Sequence, residues 1–206
     1  GLGDVYKRQV GQALAESGIP RRDIFLTTKV WVEHYGYEET KKSVYISLEK
    51  LKTEYLDLML LHQPFADYYG AYRALEDLYT EGVIRAIGVS NFYPDRLVDI
   101  ANFARIVPMV NQVETHPLNQ QTEAMKWMKK YDVQIEAWAP FGEGRGGLFE
   151  NDVLAAIGKK YNKTAAQVML RWNLQRGVVV LPKSTHKERM AVSYTHLRAH
   201  ETCADL

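Results

Sequence analysis

Side chains that can take part in catalysis or ligand binding lie at the carboxyl end of nearly every short apolar run of this sequence. They are Thr28-Lys29, His62-Gln63, Ser90-Asn91, Asn111-Gln112-Glu114, Trp138 and Lys183-Ser184. A lysine can lower the pKa of a neighbouring acid, and a histidine can hydrogen-bond a carbonyl oxygen. Hydroxyl and amide side chains suit ligands that both donate and accept hydrogen bonds. The set favours catalysis on a small polar molecule, although each residue alone also fits an ordinary strand end, cap or turn.

The runs that precede these side chains predict the strands of a parallel sheet. Most runs are apolar on both faces, as expected for strands that are covered by helices. The runs are Ile24–Thr28, Leu56–Leu61, Ile84–Val89, Pro108–Val113, Val133–Ala139 and Val178–Leu181. Between them apolar residues recur at helical spacing, and this alternation predicts one α/β domain.

Several helix ends can be predicted from local signals. Pro94 is expected to begin a helix, and Thr164 with Gln167 forms a capping box before another. A helix from about Val10 to Ser17 is expected to end at Gly18-Ile19-Pro20.

Parallel strands can form an open sheet or a closed barrel. A barrel gathers all of its strand ends into one ring, whereas an open sheet uses those at its switch point. Because polar groups lie at the carboxyl end of almost every run, the sequence favours a (β/α)8 TIM barrel.

The charge balance excludes some partners. The 206 residues carry a formal net charge of +1, which gives no reason to expect nucleic acid or an anionic membrane as a partner. No apolar run reaches the roughly 20 residues that cross a bilayer, and the start does not resemble a signal peptide. With Cys203 as the only cysteine, a cytoplasmic protein without disulfides is expected.

The order and context of the polar residues resemble the aldo-keto reductase family. LHQP, IRAIGVSNF, PMVNQVETHP and PKS match its signatures in the family's order, over roughly Val10 to Ala191. Within the family, the sequence looks most like bacterial reductases of 2,5-diketogluconate, methylglyoxal and other small carbonyl compounds. The resemblance implies NADPH-dependent reduction of a small aldehyde, ketone or diketo acid by a monomer or weak dimer.

The resemblance also implies roles for individual residues. Lys29 and His62 match the catalytic lysine, which lowers the pKa of a proton-donating tyrosine, and the histidine that orients the carbonyl. No residue matches that tyrosine or its aspartate, because Tyr6 lacks the family's flanking residues.

The cofactor residues are likewise implied by the resemblance. Ser90, Asn91 and Gln112 match groups that bind the nicotinamide carboxamide, and Trp138 stands where an aromatic ring stacks on the nicotinamide. Lys183, Ser184 and Arg189 match the group around the adenosine 2′-phosphate, which favours NADPH over NADH.

A glycine pattern in the sequence suggests a different nucleotide-binding site. Gly142, Gly144 and Gly147 have the G-x-G-x-x-G spacing of a Rossmann phosphate loop. Leu148 and Phe149 follow where a helix should open, so we interpret this segment as a flexible loop, which in the family folds over the cofactor pyrophosphate.

The two ends of the chain have an unusual relation. Residues 1–9, GLGDVYKRQ, and 192–202, VSYTHLRAHET, can be back-translated into nucleotide sequences that are reverse complements over nearly their whole length. They look like a transposase-based sequencing-library adapter. The hypothesis is that residues 1–9 and 192–206 are not native, and that His196 and His200 are not metal ligands. Residues 10–191 would then be a partial barrel that lacks its first two strands, first helix and most of its last helix.

Three functions remain open at this point. The first is an active reductase in the intact parent, the second a non-catalytic NADPH-binding regulatory module of the same fold, and the third a Rossmann dehydrogenase built on Gly142–Gly147. Because no residue matches the proton-donating tyrosine, the isolated chain is expected to be inactive. A barrel without two strands would leave edges near Ile24 and Val178, so the chain is also expected to be aggregation-prone or only partly folded.

Overall fold

The computed structural model describes residues 2–195, and its strands and helices alternate along the chain. The strands are β1 Thr27–Val30, β2 Leu58–Leu61, β3 Ile87–Ser90, β4 Val110–Glu114, β5 Gln134–Trp138 and β6 Val179–Val180. The helices are α1 Leu2–Glu16, α2 Tyr37–Leu51, α3 Tyr68–Thr80, α4 Pro94–Phe103, α5 Thr122–Lys130, α6 Asp152–Tyr161, α7 Ala165–Gln175 and α8 Lys187–Thr195. His196, His200 and Cys203, to which predictions were attached, lie outside the described residues.

The chain forms two compact units. The first contains residues 2–111 and 130–133, and the second contains residues 112–129 and the described residues from 134 onward. The division passes through β4 after Asn111. The single domain over residues 10–191 stays a prediction.

The first unit is built on parallel strands. Thr27 of β1 pairs with Leu58 of β2, and Met59 of β2 pairs with Ile87 of β3. A Cβ atom at Gly88 would lie 2.4 Å from the Val110 carbonyl oxygen, so the glycine permits this close approach. Every residue of β2 and β3 is buried, which confirms the predicted parallel α/β fold with strands covered on both faces.

Helices α2 and α3 cover this part of the sheet with their apolar faces. All of the residues that the helical spacing identified are buried, and they are Val44, Leu48, Leu51, Ala71, Ala74, Leu75 and Leu78. The periodicity therefore predicted the packed faces correctly.

The second unit contains the pairing of β5 with β6, which is also parallel. Glu136 pairs with Val179 and Ala137 with Val180. Beside these strands, Leu148, Leu154, Val168 and Met169 form a buried apolar cluster. This cluster holds α6 and α7 against the segment that follows β5.

The predicted capping signals are confirmed at two helices. Helix α4 begins at Pro94. The Thr164 hydroxyl accepts a hydrogen bond from the Gln167 N–H, and the Gln167 side chain accepts one from the Thr164 N–H, so the capping box of α7 is complete.

The predicted strand starts were too early by one to three residues. Leu26, Leu56 and Ile84 are buried as the chain enters the sheet, and Leu56 and Ile84 form only an isolated bridge. The apolar pattern of a sequence indicates which residues are buried. Here the residues become buried before the regular hydrogen bonds between strands begin, so the strands were predicted to start too early.

The first helix was predicted too short. It begins at Leu2 instead of Val10 and ends at Glu16, before the left-handed Gly18. Contacts with α2 extend along it, since Lys7 Nζ donates to Ser47 Oγ at 2.9 Å. At Gly11 a Cβ atom would lie 2.4 Å from the Lys50 carbonyl oxygen, so the two helices approach closely there. In the described part of the chain, no helix has the length and apolar character to span a membrane.

Candidate active site

The first unit places Lys29 and Ser90 beside each other at the carboxyl ends of parallel strands. Lys29 is the third residue of β1, and Ser90 is the last residue of β3. The Lys29 ammonium lies 3.5 Å from the Ser90 hydroxyl oxygen, although 61 positions separate them in sequence. Parallel pairing thus brings together two residues that the sequence predicts to act in one site.

Asn91 connects the ends of β2 and β3. Its backbone has a φ of +62°, a left-handed conformation that asparagine adopts more readily than most residues. Its side-chain amide donates to the His62 carbonyl oxygen at 3.1 Å and lies 3.3 Å from the Ser90 hydroxyl. The turn after β3 is therefore tied to the residue that follows β2.

His62 follows β2 directly and is neutral at pH 7. Burial, and then the positive charge of Lys29, lower the pKa of its imidazole to about 4 from an ordinary value of 6.5. Both causes oppose the imidazolium form. A neutral imidazole carries one N–H, with which it can donate a hydrogen bond to a carbonyl oxygen.

Two aromatic residues near His62 were not predicted as site residues. The Trp31 ring meets the imidazole edge-on, with ring centroids 4.8 Å apart, and 45% of this residue is exposed. The Tyr35 hydroxyl donates to the Gln63 carbonyl oxygen at 2.9 Å and accepts from the Gln63 N–H at 3.0 Å. The only sequence signal for either residue was its position shortly after Lys29.

Asn111 supports the turn that carries Asn91. Its side-chain amide donates to the Phe92 carbonyl oxygen at 2.6 Å, and the residue is fully buried. No hydrogen-bond partner for its Oδ1 atom is present among the described residues.

In the second unit, the structure brings Lys183, Ser184 and Arg189 together around one cavity. The cavity has a volume of about 510 Å³ and lies where the chain passes from β6 to α8. Phe141 and Phe149, with ring centroids 5.8 Å apart, supply an apolar wall. Glu150 and Glu188 also line the cavity, so its lining carries two cations and two carboxylates. The hydroxyl and cations suit a phosphate, and the aromatic wall suits a planar ring.

Gln112 and Trp138 also belong to the second unit. Gln112 is buried in β4, and its side-chain amide donates to the Glu136 carboxylate on β5. Trp138 is the last residue of β5, and its carbonyl oxygen accepts from the Thr115 N–H at 3.3 Å. Both residues therefore lie at the strand positions that were predicted for them.

The glycine-rich segment after β5 does not form a Rossmann phosphate loop. It contains 3₁₀ helices at Gly142–Gly144 and Leu148–Glu150, and five of its residues have positive φ: Gly142, Glu143, Gly144, Gly146 and Gly147. Helix α6 begins only at Asp152 and is capped by the Asn151 side chain. A Rossmann loop would open a helix directly, so the interpretation of the segment as a loop agrees with the structure.

The comparison with known families identifies the family of this chain. A family model described as the aldo/keto reductase family matches residues 2–198. This chain belongs to the aldo-keto reductase family. The prediction made from the four sequence signatures is confirmed.

Individual aldo-keto reductases match over about two thirds of their length. The 9,11-endoperoxide prostaglandin H2 reductase of Trypanosoma cruzi is 46% identical over 190 residues, which are 91% of this chain and 67% of that protein. The glyoxal reductase of Bacillus subtilis is 48% identical over 189 residues, which are 90% of this chain and 68% of that protein. A crystal structure of a Bombyx mori aldo-keto reductase in complex with NADP has a TM-score of 0.89 and 31% identity, over 95% of this chain and 71% of that one.

Proposed function

We propose that this chain carries part of the active site of an NADPH-dependent reductase of small aldehydes, ketones or diketo acids. The observation that carries the proposal is the grouping of Lys29, His62 and Ser90 at the strand ends of the first unit, with Lys29 Nζ 3.5 Å from Ser90 Oγ. Membership of the family and the similarity to a glyoxal reductase support it.

His62 would bind the carbonyl oxygen of the substrate. NADPH, when bound, supplies a hydride to the carbonyl carbon, and a proton must reach the oxygen to give the alcohol. The neutral imidazole of His62 can donate its N–H to the oxygen, which orients the carbonyl and stabilises the negative charge that develops there. Lys29 would lower the pKa of a neighbouring phenol and so assist proton donation.

Each unit has residues that suit one part of the cofactor. Ser90, Asn91 and Gln112 have the hydroxyl and amide groups that suit the nicotinamide carboxamide, and the Trp138 ring suits stacking on the nicotinamide. The cavity of the second unit would take the adenosine end.

The cavity of the second unit would favour the phosphorylated cofactor. Lys183 and Arg189 would pair with the 2′-phosphate, and the Ser184 hydroxyl would hydrogen-bond it. NADH lacks this phosphate and would gain nothing from the two cations.

We further propose that the proton-donating tyrosine, its aspartate and the remaining strands of a (β/α)8 barrel belong to a sequence upstream of the native residues. This chain spans about two thirds of the length of these relatives, which agrees with a longer parent protein. Residues 1–9 and 192–206 would be adapter-derived. The family match covers residues 2–198 and therefore gives the adapter hypothesis no support.

The test is NADPH oxidation with glyoxal, followed at 340 nm. We expect background rates with this chain and turnover with the longer product of the source gene. Replacing His62 by Gln in that product should lower kcat by about a hundredfold, the effect of losing one donor to a developing oxyanion. A longer product that binds NADPH but reduces no dicarbonyl would refute the reductase proposal and favour the regulatory module.

A further inference from the structure

The Tyr35 side chain hydrogen-bonds Gln63, the first residue of the irregular segment after His62. The Tyr35 hydroxyl makes two hydrogen bonds with one residue: it donates to the Gln63 carbonyl oxygen at 2.9 Å and accepts from the Gln63 N–H at 3.0 Å. Tyr35 lies in the loop between β1 and α2, and Gln63 lies in the loop that follows β2. The hydroxyl therefore joins two loops that follow neighbouring strands.

We propose that the Tyr35 hydroxyl is a positioning group that fixes His62 in the site. The inference rests on the proposed role of His62 as the carbonyl-binding residue. Tyr35 is not a catalytic residue in this proposal, because its hydroxyl contacts the main chain of Gln63 and acts on His62 through that residue.

The loop that carries Tyr35 is itself well anchored. The Thr40 hydroxyl donates to the His34 carbonyl oxygen at 2.8 Å, and the Gly36 N–H donates to the Asp67 carbonyl oxygen at 3.3 Å. Tyr35 is only 9% exposed, so packing restricts its ring as well. A fixed ring presents its hydroxyl at a fixed point, which is what a positioning group requires.

The segment that Tyr35 holds needs such support. The His62 N–H donates to the Val30 carbonyl oxygen at 3.1 Å, and the Asn91 side chain bonds the His62 carbonyl oxygen. Beyond this point the chain leaves the sheet, and Pro64 has no N–H with which to hold it. The Tyr35 hydroxyl thus satisfies both main-chain groups of Gln63 just after the sheet ends, which limits how far the backbone of His62 can turn.

Freeing Gln63 should change the surroundings of the imidazole. The low pKa of His62, about 4, comes first from burial and then from the charge of Lys29, the charged group that acts on it. A His62 backbone that moves would let water reach the ring, and hydration favours the imidazolium.

The test compares Tyr35→Phe with Tyr37→Phe in the chain without cofactor or substrate. Both variants remove one phenol hydroxyl, but Tyr37 is the first residue of α2, and its hydroxyl donates to the half-buried Asp77 carboxylate at 2.7 Å. We expect Tyr35→Phe to speed hydrogen exchange of the Gln63 amide about tenfold, the effect of losing one hydrogen bond. The pKa of His62, followed by NMR, should rise by about one unit or more toward its ordinary value. Tyr37→Phe should change neither quantity.

Unchanged Gln63 exchange or an unchanged His62 pKa in Tyr35→Phe would overturn the proposal. If that variant does not fold, the unmodified chain still gives an answer. Its Gln63 amide must exchange more slowly than the amides of the exposed loop residues Phe65 and Ala66, and equal rates would overturn the proposal. Neither measurement involves turnover, so this inference can fail while the reductase proposal stands, and the reverse also holds.

Discussion

Replacing Asp57 by Ala should destabilise the first unit more than any surface ion-pair substitution. The Asp57 carboxylate is buried just before β2, forms ion pairs with Arg21 at 2.8 Å and Arg85 at 3.2 Å, and accepts a hydrogen bond from the Leu26 N–H at 2.9 Å. Both guanidinium groups also lie over the Tyr55 ring, 4.0 and 3.9 Å from its centroid. The carboxylate therefore holds together the chain entering β1, the chain entering β2 and the chain leading into β3.

The size of the effect follows from the exposure of each partner. The Asp57 side chain is 6% exposed, that of Arg21 24% and that of Arg85 54%. The pair with Arg85 contributes about 0.5 kcal/mol, because that guanidinium is hydrated. The ion pair of Asp57 with Arg21 and the hydrogen bond that Asp57 accepts from the Leu26 N–H contribute about 1 to 1.5 kcal/mol each. The total is about 3 kcal/mol, which is roughly a hundredfold in the equilibrium between closed and locally open states.

Native-state hydrogen exchange measures this quantity directly. In Asp57→Ala, the amides of Met59 to Leu61 and of Ile87 to Val89 should exchange roughly a hundredfold faster, since they report the opening of β2 and β3. The matched control is Asp95→Ala, which breaks an exposed pair with Arg96 at 3.7 Å and should change these rates less than about threefold. Equal changes of these exchange rates in the two variants would show that burial of the Asp57 carboxylate does not make its ion pairs more stabilising than an exposed pair.

Four further predictions concern His62, a helix cap and the ends of the chain. Lys29→Met should raise the pKa of His62 above about 4 because it removes the cation that opposes protonation, and an NMR titration checks this. Since the unfolded chain binds the His62 proton more readily, folding stability should fall as the pH is lowered from 6.5 to 4, and His62→Gln should reduce this dependence in urea unfolding. Thr164→Ala should cost about 1 kcal/mol of stability in the same assay, and an unchanged midpoint would count against the capping box. Sequencing the source locus should show codons other than those for residues 1–9 and 192–206, and finding those codons there would contradict the adapter hypothesis.

The fold could be predicted because its main determinants are local in sequence. The apolar runs and the helical spacing of residues such as Leu48 and Leu75 depend only on near neighbours. The polar residues after each run then identified the family. Strand starts were less accurate, because burial at Leu56 and Ile84 begins before the ladder.

The supporting contacts of the site could not be predicted because they join distant positions. Asp57 looked like an interruption of an apolar run, yet its partner Arg21 lies 36 positions earlier in the chain. Tyr35 reaches Gln63 across 28 positions and Asn91 reaches the His62 carbonyl across 29. No spacing rule connects such residues before the strands are paired.

The most direct test of the proposed function is the affinity of this chain for NADPH and for NADH, measured by titration of the nicotinamide fluorescence. We predict tighter binding of NADPH, and Lys183→Met should weaken it about tenfold while changing NADH binding little. Lys187→Met, at the first residue of α8 and outside the cavity lining, is the matched control and should leave both affinities unchanged. Equal affinities for the two nucleotides, or NADPH binding that does not respond to Lys183→Met, would contradict the account.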